Sequence, residues 1–188
     1  MALTQITGSG INGVTVGNFI TMVDVFRLTA NQSGGTNADI TSNLERVDDA
    51  SFSKIGTGMT ESSGIFTFPS TGLYLVIANP MIRSNNDTNS YVIIKGSSNS
   101  GGAFTELTYI NGGIGLSGEA ISSVYGSTLM NVTNASTFQV KFTTSSFGSN
   151  TRLEGSTSAN YTSFTFIKLG ANQLWKKIIC KKHSENLM

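Results

Sequence analysis

Few side chains in this sequence could carry out catalysis, and the two most versatile stand at one end of the chain. The single histidine, His183, and the single cysteine, Cys180, both fall within the last nine residues. The rest of the sequence therefore cannot supply a nucleophile paired with histidine, or a zinc site of cysteine and histidine. A single cysteine also excludes an intrachain disulfide.

Acidic side chains could bind calcium, which prefers oxygen ligands from loops. Asp48 and Asp49 are adjacent, and Asp87 lies in a separate Asn-rich segment. None of the three falls at a recognisable ligand position. The sequence leaves calcium binding open, but it favours turn residues that cap local backbone, and we predict no metal site.

Paired carboxylates could also hydrolyse glycosidic bonds, provided that two of them lie about 5–9.5 Å apart in a cleft. Glu106, Glu119 and Glu154 are the candidates. Nothing in the sequence brings any two of them together. We therefore predict a protein that is not an enzyme, with no catalytic residue and no cofactor.

The composition predicts one folded domain with an uncharged polar surface. Among 188 residues, Gly, Ser, Thr and Asn fill 86 positions, and 12 basic side chains nearly balance 11 acidic ones. Without an excess of Lys and Arg, little favours nucleic acid. No apolar run approaches the ~20 residues of a membrane helix, and residues 1–10 lack the basic start and apolar centre of a signal peptide. We expect no nucleic-acid binding, no membrane span and no export.

Alternation of hydrophobic and polar residues predicts strands through most of the chain. Residues 22–28 alternate with a period of two and end at a turn-rich run over 31–39. Further strands are predicted at 65–68, 73–78, 91–95, 104–110, 124–132, 138–143 and 161–169. Short strands rich in Thr, Val, Ile, Phe and Tyr, with no helical period between them, indicate an all-β sandwich or jelly roll.

Two of these strands have apolar residues on both faces. In the first, Leu73, Leu75 and Ile77 oppose Tyr74, Val76 and Ala78; in the second, Phe164 and Phe166 oppose Ile167 and Leu169, with Tyr161 as a further ring. One face of a sandwich strand packs in the core and the other usually meets water. The second apolar face therefore needs a cover. A neighbouring subunit is the favoured cover, and shielding within one subunit is the alternative.

Five residues between 52 and 74 have a distinctive spacing. In FSKIGTGMTESSGIFTFPSTGLY, they form the pattern G-x-F-x-x-P-x-x-G-x-Y and are Gly64, Phe66, Pro69, Gly72 and Tyr74. A strand would end at the proline, which cannot donate to a ladder, and a turn at the second glycine would open a longer strand with the tyrosine inward. This pattern resembles the signature of the globular head of complement component 1q and its tumour-necrosis-factor-like relatives.

Two later segments are similar to the same family. STLMNVTNASTFQVKF, at 127–142, resembles its strand, two-residue turn and strand. Tyr161, Phe164 and Leu169 resemble its aromatic last strand, although Ser163 stands where the family usually has glycine. The resemblance covers roughly residues 22–170.

This resemblance implies a two-sheet antiparallel jelly roll of ten strands that assembles as a homotrimer and serves as a binding module or structural tip. The residues predicted to form the core and the subunit contact are Leu73, Leu75, Tyr161, Phe164, Phe166 and Ile167.

The chain is also similar to structural proteins of marine bacteriophages, particularly those infecting cyanobacteria. The similarity includes the start MALTQITGSGI and the segment from DVFRLTANQSG to FPSTGLY. It implies a virion protein that is made in the host cytoplasm. Residues 1–21 would form an arm that attaches to capsid or tail proteins; a disordered start is the alternative. The domain at 22–170 would be displayed as a fibre tip, receptor-binding knob or capsid decoration, with a host-surface glycan or protein as its potential ligand.

Residues 171–188 differ in character from the rest. They contain the four lysines Lys176, Lys177, Lys181 and Lys182, and the apolar residues Leu174, Trp175, Ile178 and Ile179 at helical spacing. A short amphipathic helix that binds a membrane or another virion protein is one interpretation. A lightly packed basic tail is favoured.

Two other functions stay open. A bacterial extracellular recognition module of the complement-1q type would be expected to carry an export signal or a collagen-like stalk. A glycan-degrading virion enzyme is less favoured, since it requires a cleft with paired carboxylates.

Overall fold

The computed structural model describes residues 20–33, 37–50, 52–113 and 118–173. Within these ranges the chain forms strands and loops without a helix, as the sequence predicted. The strands are β1 (Met22–Leu28), β2 (Gln32–Ser33), β3 (Ala38–Asp39), β4 (Leu44–Arg46), β5 (Thr60–Ser62), β6 (Ile65–Thr67), β7 (Gly72–Asn79), β8 (Met81–Asn85), β9 (Tyr91–Ser97), β10 (Thr105–Asn111), β11 (Glu119–Ser123), β12 (Gly126–Val132), β13 (Gln139–Ser145), β14 (Arg152–Leu153) and β15 (Ser163–Gly170). Nearly all of the predicted arm at 1–21, and residues 174–188 of the predicted tail, lie outside the described residues.

Two antiparallel sheets pack across the core. The first has the strand order β12-β7-β15-β1-β4, and the second has the order β10-β9-β13-β6-β5, with β3 also paired to β13. A third sheet, β11-β8-β14-β2, continues the first beyond a break at Pro80. Proline has no backbone N–H, so the ladder is interrupted there. The backbone N–H of Val124, which lies in the gap between β11 and β12, donates to the carbonyl of Pro80 at 3.1 Å and joins the two halves.

Phenylalanine side chains from both sheets form the centre of the core. Phe142 of β13 stacks on Phe164 of β15, with ring centroids 4.0 Å apart and an interplanar angle of 23°. Phe66 of β6 lies 4.9 Å from Phe166 and meets Phe26 edge-on at 5.0 Å. All five rings are buried. Such pairs add about 0.5–1.5 kcal/mol each to the effect of burial.

All eight predicted strands are present, with small shifts at their ends. The described residues nevertheless form fifteen strands, more than the ten that the resemblance implied. The additional strands are short and polar, such as TES in β5 and EAISS in β11. Most of them pair with strands far away in the sequence, such as β2 with β14 and β3 with β13, so local sequence carries little signal for them.

The residues of the G-x-F-x-x-P-x-x-G-x-Y pattern lie around the turns that enter and leave β6. Gly64 has a φ of +80°, and a Cβ atom there would lie 2.0 Å from the carbonyl oxygen of Ile40. Phe66 is buried in the core and Pro69 is half-buried just beyond β6. A Cβ on Gly72 would approach the Cε of Lys168 to 2.5 Å and the carbonyl oxygen of Gly170 to 2.7 Å.

Tyr74 completes the pattern and closes the turn that precedes β7. Its ring is fully buried, and its hydroxyl donates to the carbonyl oxygen of Ser70 at 2.9 Å. Burial raises the pKa of this tyrosine and outweighs the hydrogen bonds to Ser70, which act to lower it. The hydroxyl therefore stays protonated and able to donate at neutral pH.

Replacing Gly64 with alanine should destabilise the domain by more than a positive φ alone explains. Gly118 is the matched control, since its φ is +100° and no atom of the described residues lies within 4 Å of its Cβ position. Gly118→Ala should cost about 1–2 kcal/mol, from backbone strain, whereas Gly64→Ala must also displace the carbonyl of Ile40. Urea denaturation of both variants measures the difference. Equal losses of stability would show that the contact with Ile40 contributes nothing.

Candidate functional site

Two of the three aspartates considered as calcium ligands, Asp49 and Asp87, have partners within the protein. Asp49 accepts from the Nη1 of Arg27 at 2.9 Å. Asp87 accepts from the backbone N–H of Gly148 at 2.8 Å and from the hydroxyl of Thr151, so it holds the loop between β13 and β14. Among the described residues, no three His, Cys, Asp or Glu side chains are close enough together to share a metal ion.

Two of the three candidate glutamates converge on one guanidinium group. The Nη1 of Arg83 lies 3.1 Å from the Oε2 of Glu119, and its Nε donates to the Oε1 of Glu154. Arg152 also donates to Glu154, at 3.0 Å. The strand order explains this cluster, because β8 lies between β11 and β14. Glu106 stands elsewhere and pairs with Lys95 at 3.1 Å.

The electrostatics of Glu154 are those of an ion pair. Burial of this carboxyl acts to raise its pKa, but the hydrogen bonds and charges of Arg83 and Arg152 outweigh burial and hold the pKa below its ordinary value. A glycosidase acid needs the opposite, a raised pKa that keeps the proton on the carboxyl at neutral pH. The cluster therefore resembles an ion-pair network that joins three strands, rather than a catalytic pair of carboxyl groups.

The Glu154→Gln variant should be less stable than the parent at neutral pH, with a difference that disappears in acid. Because the pKa of Glu154 is lower in the folded state than its ordinary value of 4.5, the ionised form stabilises the fold above that value, and this stabilisation is lost as the pH falls through the folded pKa. Thermal melting of both proteins at neutral pH and at about pH 3 measures the effect. Glu119→Gln is the control, and its effect should be small because that side chain is mostly exposed. A difference in acid as large as the difference at neutral pH would contradict the assignment.

The first sheet has one buried face and one apolar face that points away from the core. On β7 and β15 the inward side chains of Tyr74, Val76, Ala78, Phe164 and Phe166 are fully buried, and that of Lys168 is half-buried. The apolar outward side chains, which we call the outer face, are half-buried; they are Val23, Val25, Leu73, Leu75, Ile77 and Ile167. On the same side of the sheet, Thr165 lies between Val25 and Ile77, and the ion pair of Arg27 and Glu45 lies at the end of β1 and β4.

Direct strand pairing makes the outer face continuous across the sheet. Leu75 lies opposite Ile167 on one side and Leu129 on the other. Ile167 in turn lies opposite Val23, which forms a bridge with Ile55. Residues directly opposite each other share a face of an antiparallel sheet. An aliphatic row therefore crosses four strands without a polar interruption.

A second apolar surface lies where the two sheets end side by side. β12 is the last strand of the first sheet and β10 the last of the second, and the hydroxyl of Thr108 donates to the carbonyl of Ser127 across the gap at 3.1 Å. The exposed side chains here, which we call the edge surface, are Leu107 (40%), Tyr109 (55%), Tyr125 (78%) and Leu129 (59%). No pattern in the sequence marks this surface, since single exposed hydrophobic residues are common in proteins and carry no signal.

The residues predicted for the core and the subunit contact divide among three places. Phe164 and Phe166 have no exposed surface and belong to the core of one chain. Leu73, Leu75 and Ile167 lie on the outer face, where another molecule could reach them. Tyr161 precedes β15 rather than belonging to it, and its side chain is exposed in a loop.

In the described part of the chain, no helix has the length and apolar character needed to cross a membrane.

Comparison with known proteins identifies the fold. No protein-family model matches the chain, and no curated protein matches it in sequence. Among solved structures, the Eiger tumour necrosis factor of S. frugiperda aligns with 85% of this chain and 99% of its own, at 10% identity and a TM-score of 0.61. Murine APRIL at pH 8.5 aligns with 79% of this chain and 98% of its own, at 15% identity and a TM-score of 0.58.

These likenesses show that the chain has a tumour-necrosis-factor-like jelly-roll fold, as the sequence predicted. A likeness to PRD1 vertex protein P5, at 17% identity, has a TM-score of only 0.45 and supports no argument.

Proposed function

We propose that this chain is a non-enzymatic structural and recognition protein that acts as a homotrimer. The observation that carries the proposal is the aliphatic row across the outer face of the first sheet. Its strands are apolar on both sides, and one copy of the chain buries only one of those sides. Burial of an aliphatic side chain contributes about 1.5–3 kcal/mol when complete, so a second molecule that covered the row would stabilise the assembly appreciably.

The position of the edge surface favours a closed ring of copies. The outer face is a sheet surface of half-buried aliphatic side chains. The edge surface carries exposed tyrosine and leucine side chains on β10, on β12 and on the residue before β12. A contact between two different surfaces is heterologous, and it ends in a closed assembly only when the copies form a ring. Three copies, each placing its edge surface on the outer face of the next, satisfy both surfaces.

We further propose that this trimer is displayed on a bacteriophage particle, as a fibre tip, receptor-binding knob or capsid decoration. The resemblance of the sequence to marine phage structural proteins supports this role, with residues 1–21 as the attachment arm to capsid or tail proteins. The scarcity of charged residues also supports it, because salt screens exposed ion pairs. The protein would be made in the host cytoplasm, and its Asn-, Ser- and Tyr-rich loops would face a glycan or protein of the host surface.

Native mass spectrometry of the full chain tests the assembly. We expect the mass of three chains, persisting on dilution. A stable monomer would contradict the contact between outer face and edge surface. Peptide mapping of purified virions tests the location: peptides from this chain support the phage role, whereas their absence from particles and presence in bacterial culture medium would favour the extracellular recognition module.

A further inference from the structure

A groove of about 420 Å³ opens beside the edge strand β12, between it and the loop that joins β9 to β10. Its size falls within the ~300–1,000 Å³ of small-molecule clefts. The floor and one wall are apolar and consist of Gly96, Leu107, Leu129, Met130 and Phe138, while the rim carries Asn131 and the small polar residues of the β9–β10 loop.

Asn131 at this rim holds the last described residue of the chain. Its side-chain Nδ2 donates to the carbonyl oxygen of Gln173 at 2.8 Å, and the backbone N–H of Gln173 donates to its Oδ1, also at 2.8 Å. This two-bond pairing resembles the bonds between neighbouring strands and fixes both the position and the direction of the backbone. Gln173 is thus held at the edge of the groove.

The residues that follow Gln173 in sequence suit an apolar groove. They are Leu174 and Trp175, and this tryptophan is the only one in the chain. Consecutive Cα atoms lie about 3.8 Å apart, so both side chains are within reach of the groove from Gln173. A tethered segment also has a high effective concentration, on the order of millimolar for a short flexible link, which an untethered occupant lacks.

We propose that this groove is the docking site for the segment that follows Gln173 in the same chain, with Leu174 and Trp175 as its occupants. Docking would cover the exposed parts of Leu107 and Leu129, which the described residues of one chain leave in contact with water. The basic residues beyond Trp175 would then begin at a fixed point on the domain surface. The groove and its occupant belong to one chain, so docking does not require the homotrimer. Because Leu107 and Leu129 also belong to the edge surface, the docked segment would become part of the surface that the next copy contacts.

Fluorescence of Trp175 in the full chain tests the proposal. We expect emission at a shorter wavelength than in the urea-unfolded chain, together with reduced quenching by acrylamide. Leu107→Asn makes the groove wall polar, and Asn131→Ala removes both bonds to Gln173. Each variant should move the emission towards that of the unfolded chain and increase acrylamide quenching several-fold. Ile121→Asn is the matched control, since Ile121 is an aliphatic residue with 48% exposure on β11 and does not line the groove.

Three results would overturn the proposal. Emission and quenching of the folded parent equal to those of the unfolded chain would show that Trp175 is not buried. Protection that both groove variants leave unchanged would place the tryptophan elsewhere. Protection that disappears on dilution, in parallel with the mass of the assembly, would identify a second copy as the occupant. Circular dichroism and thermal melting of each variant establish that it is folded, and a protected tryptophan in a monomer would support docking while contradicting the homotrimer.

Discussion

Replacing Phe164 with alanine is expected to remove about 3–5 kcal/mol from the free energy of unfolding. The ring is fully buried and stacks on Phe142 across the space between the two sheets, at a centroid distance of 4.0 Å. The pair is flanked by Phe66 and Phe166, so the side chains around the vacated space are themselves large and rigid and can collapse into it only partly. Since small domains have about 5–15 kcal/mol in all, the variant should be close to unfolding.

Urea denaturation measures this loss as a lower midpoint with an unchanged slope. Tyr161→Ala is the control, because it removes an aromatic ring only three residues away whose side chain is 45% exposed. Its effect should stay within about 0.5 kcal/mol, as is usual for surface substitutions. If Phe164→Ala were no more harmful than Tyr161→Ala, the aromatic cluster would not be the centre of the core.

Introducing an aspartate at Leu75 is expected to convert the assembly from three chains to one. Leu75 lies at the centre of the aliphatic row, between Ile167 and Leu129. In a homotrimer the carboxylate would be buried in each of three contacts without a partner, and burial of an unpaired charge is strongly unfavourable. Native mass spectrometry should therefore detect single chains, and circular dichroism should still show strands.

Two further variants make the result of Leu75→Asp interpretable. Leu129→Asp changes a side chain that is mostly exposed at the edge of the sheet, so it should dissociate the copies with little effect on the fold of each. Thr60→Asp places the same charge on β5, at the far edge of the second sheet, and should leave three chains together. Three-chain assemblies in both leucine variants would contradict the proposed contact.

The sequence predicted those parts of the fold in which a strand carries its own signal. β1 alternates with a period of two, and β7 and β15 are continuous runs rich in β-branched, aliphatic and aromatic residues; all three appear where they were predicted. Alternation also showed that Phe164 and Ile167 point in opposite directions. It did not show which of them points inward, because both are apolar, and that choice is made by the aromatic rings of the opposing sheet.

The candidate sites depended on contacts between distant segments and were less predictable. Arg83 and Glu154 are 71 residues apart, and only the pairing of β14 with β8 brings them together. The groove beside β12 likewise needs the β9–β10 loop, β12 and the segment ending at Gln173 to meet. No local sequence pattern encodes such contacts, since they depend on the register of strands that are far apart in the chain.

The break at Pro80 divides the domain into two regions that can evolve separately. On the β7 side of this break, the first sheet carries the outer face that we propose holds copies together. On the β8 side, the small sheet of β11, β8, β14 and β2 anchors the polar loops around Asp87 and Asn150. This sheet contributes no side chain to the outer face. Mutations in those loops would therefore leave the proposed contact between copies unchanged, so that one scaffold could present many different loops to a changing range of targets.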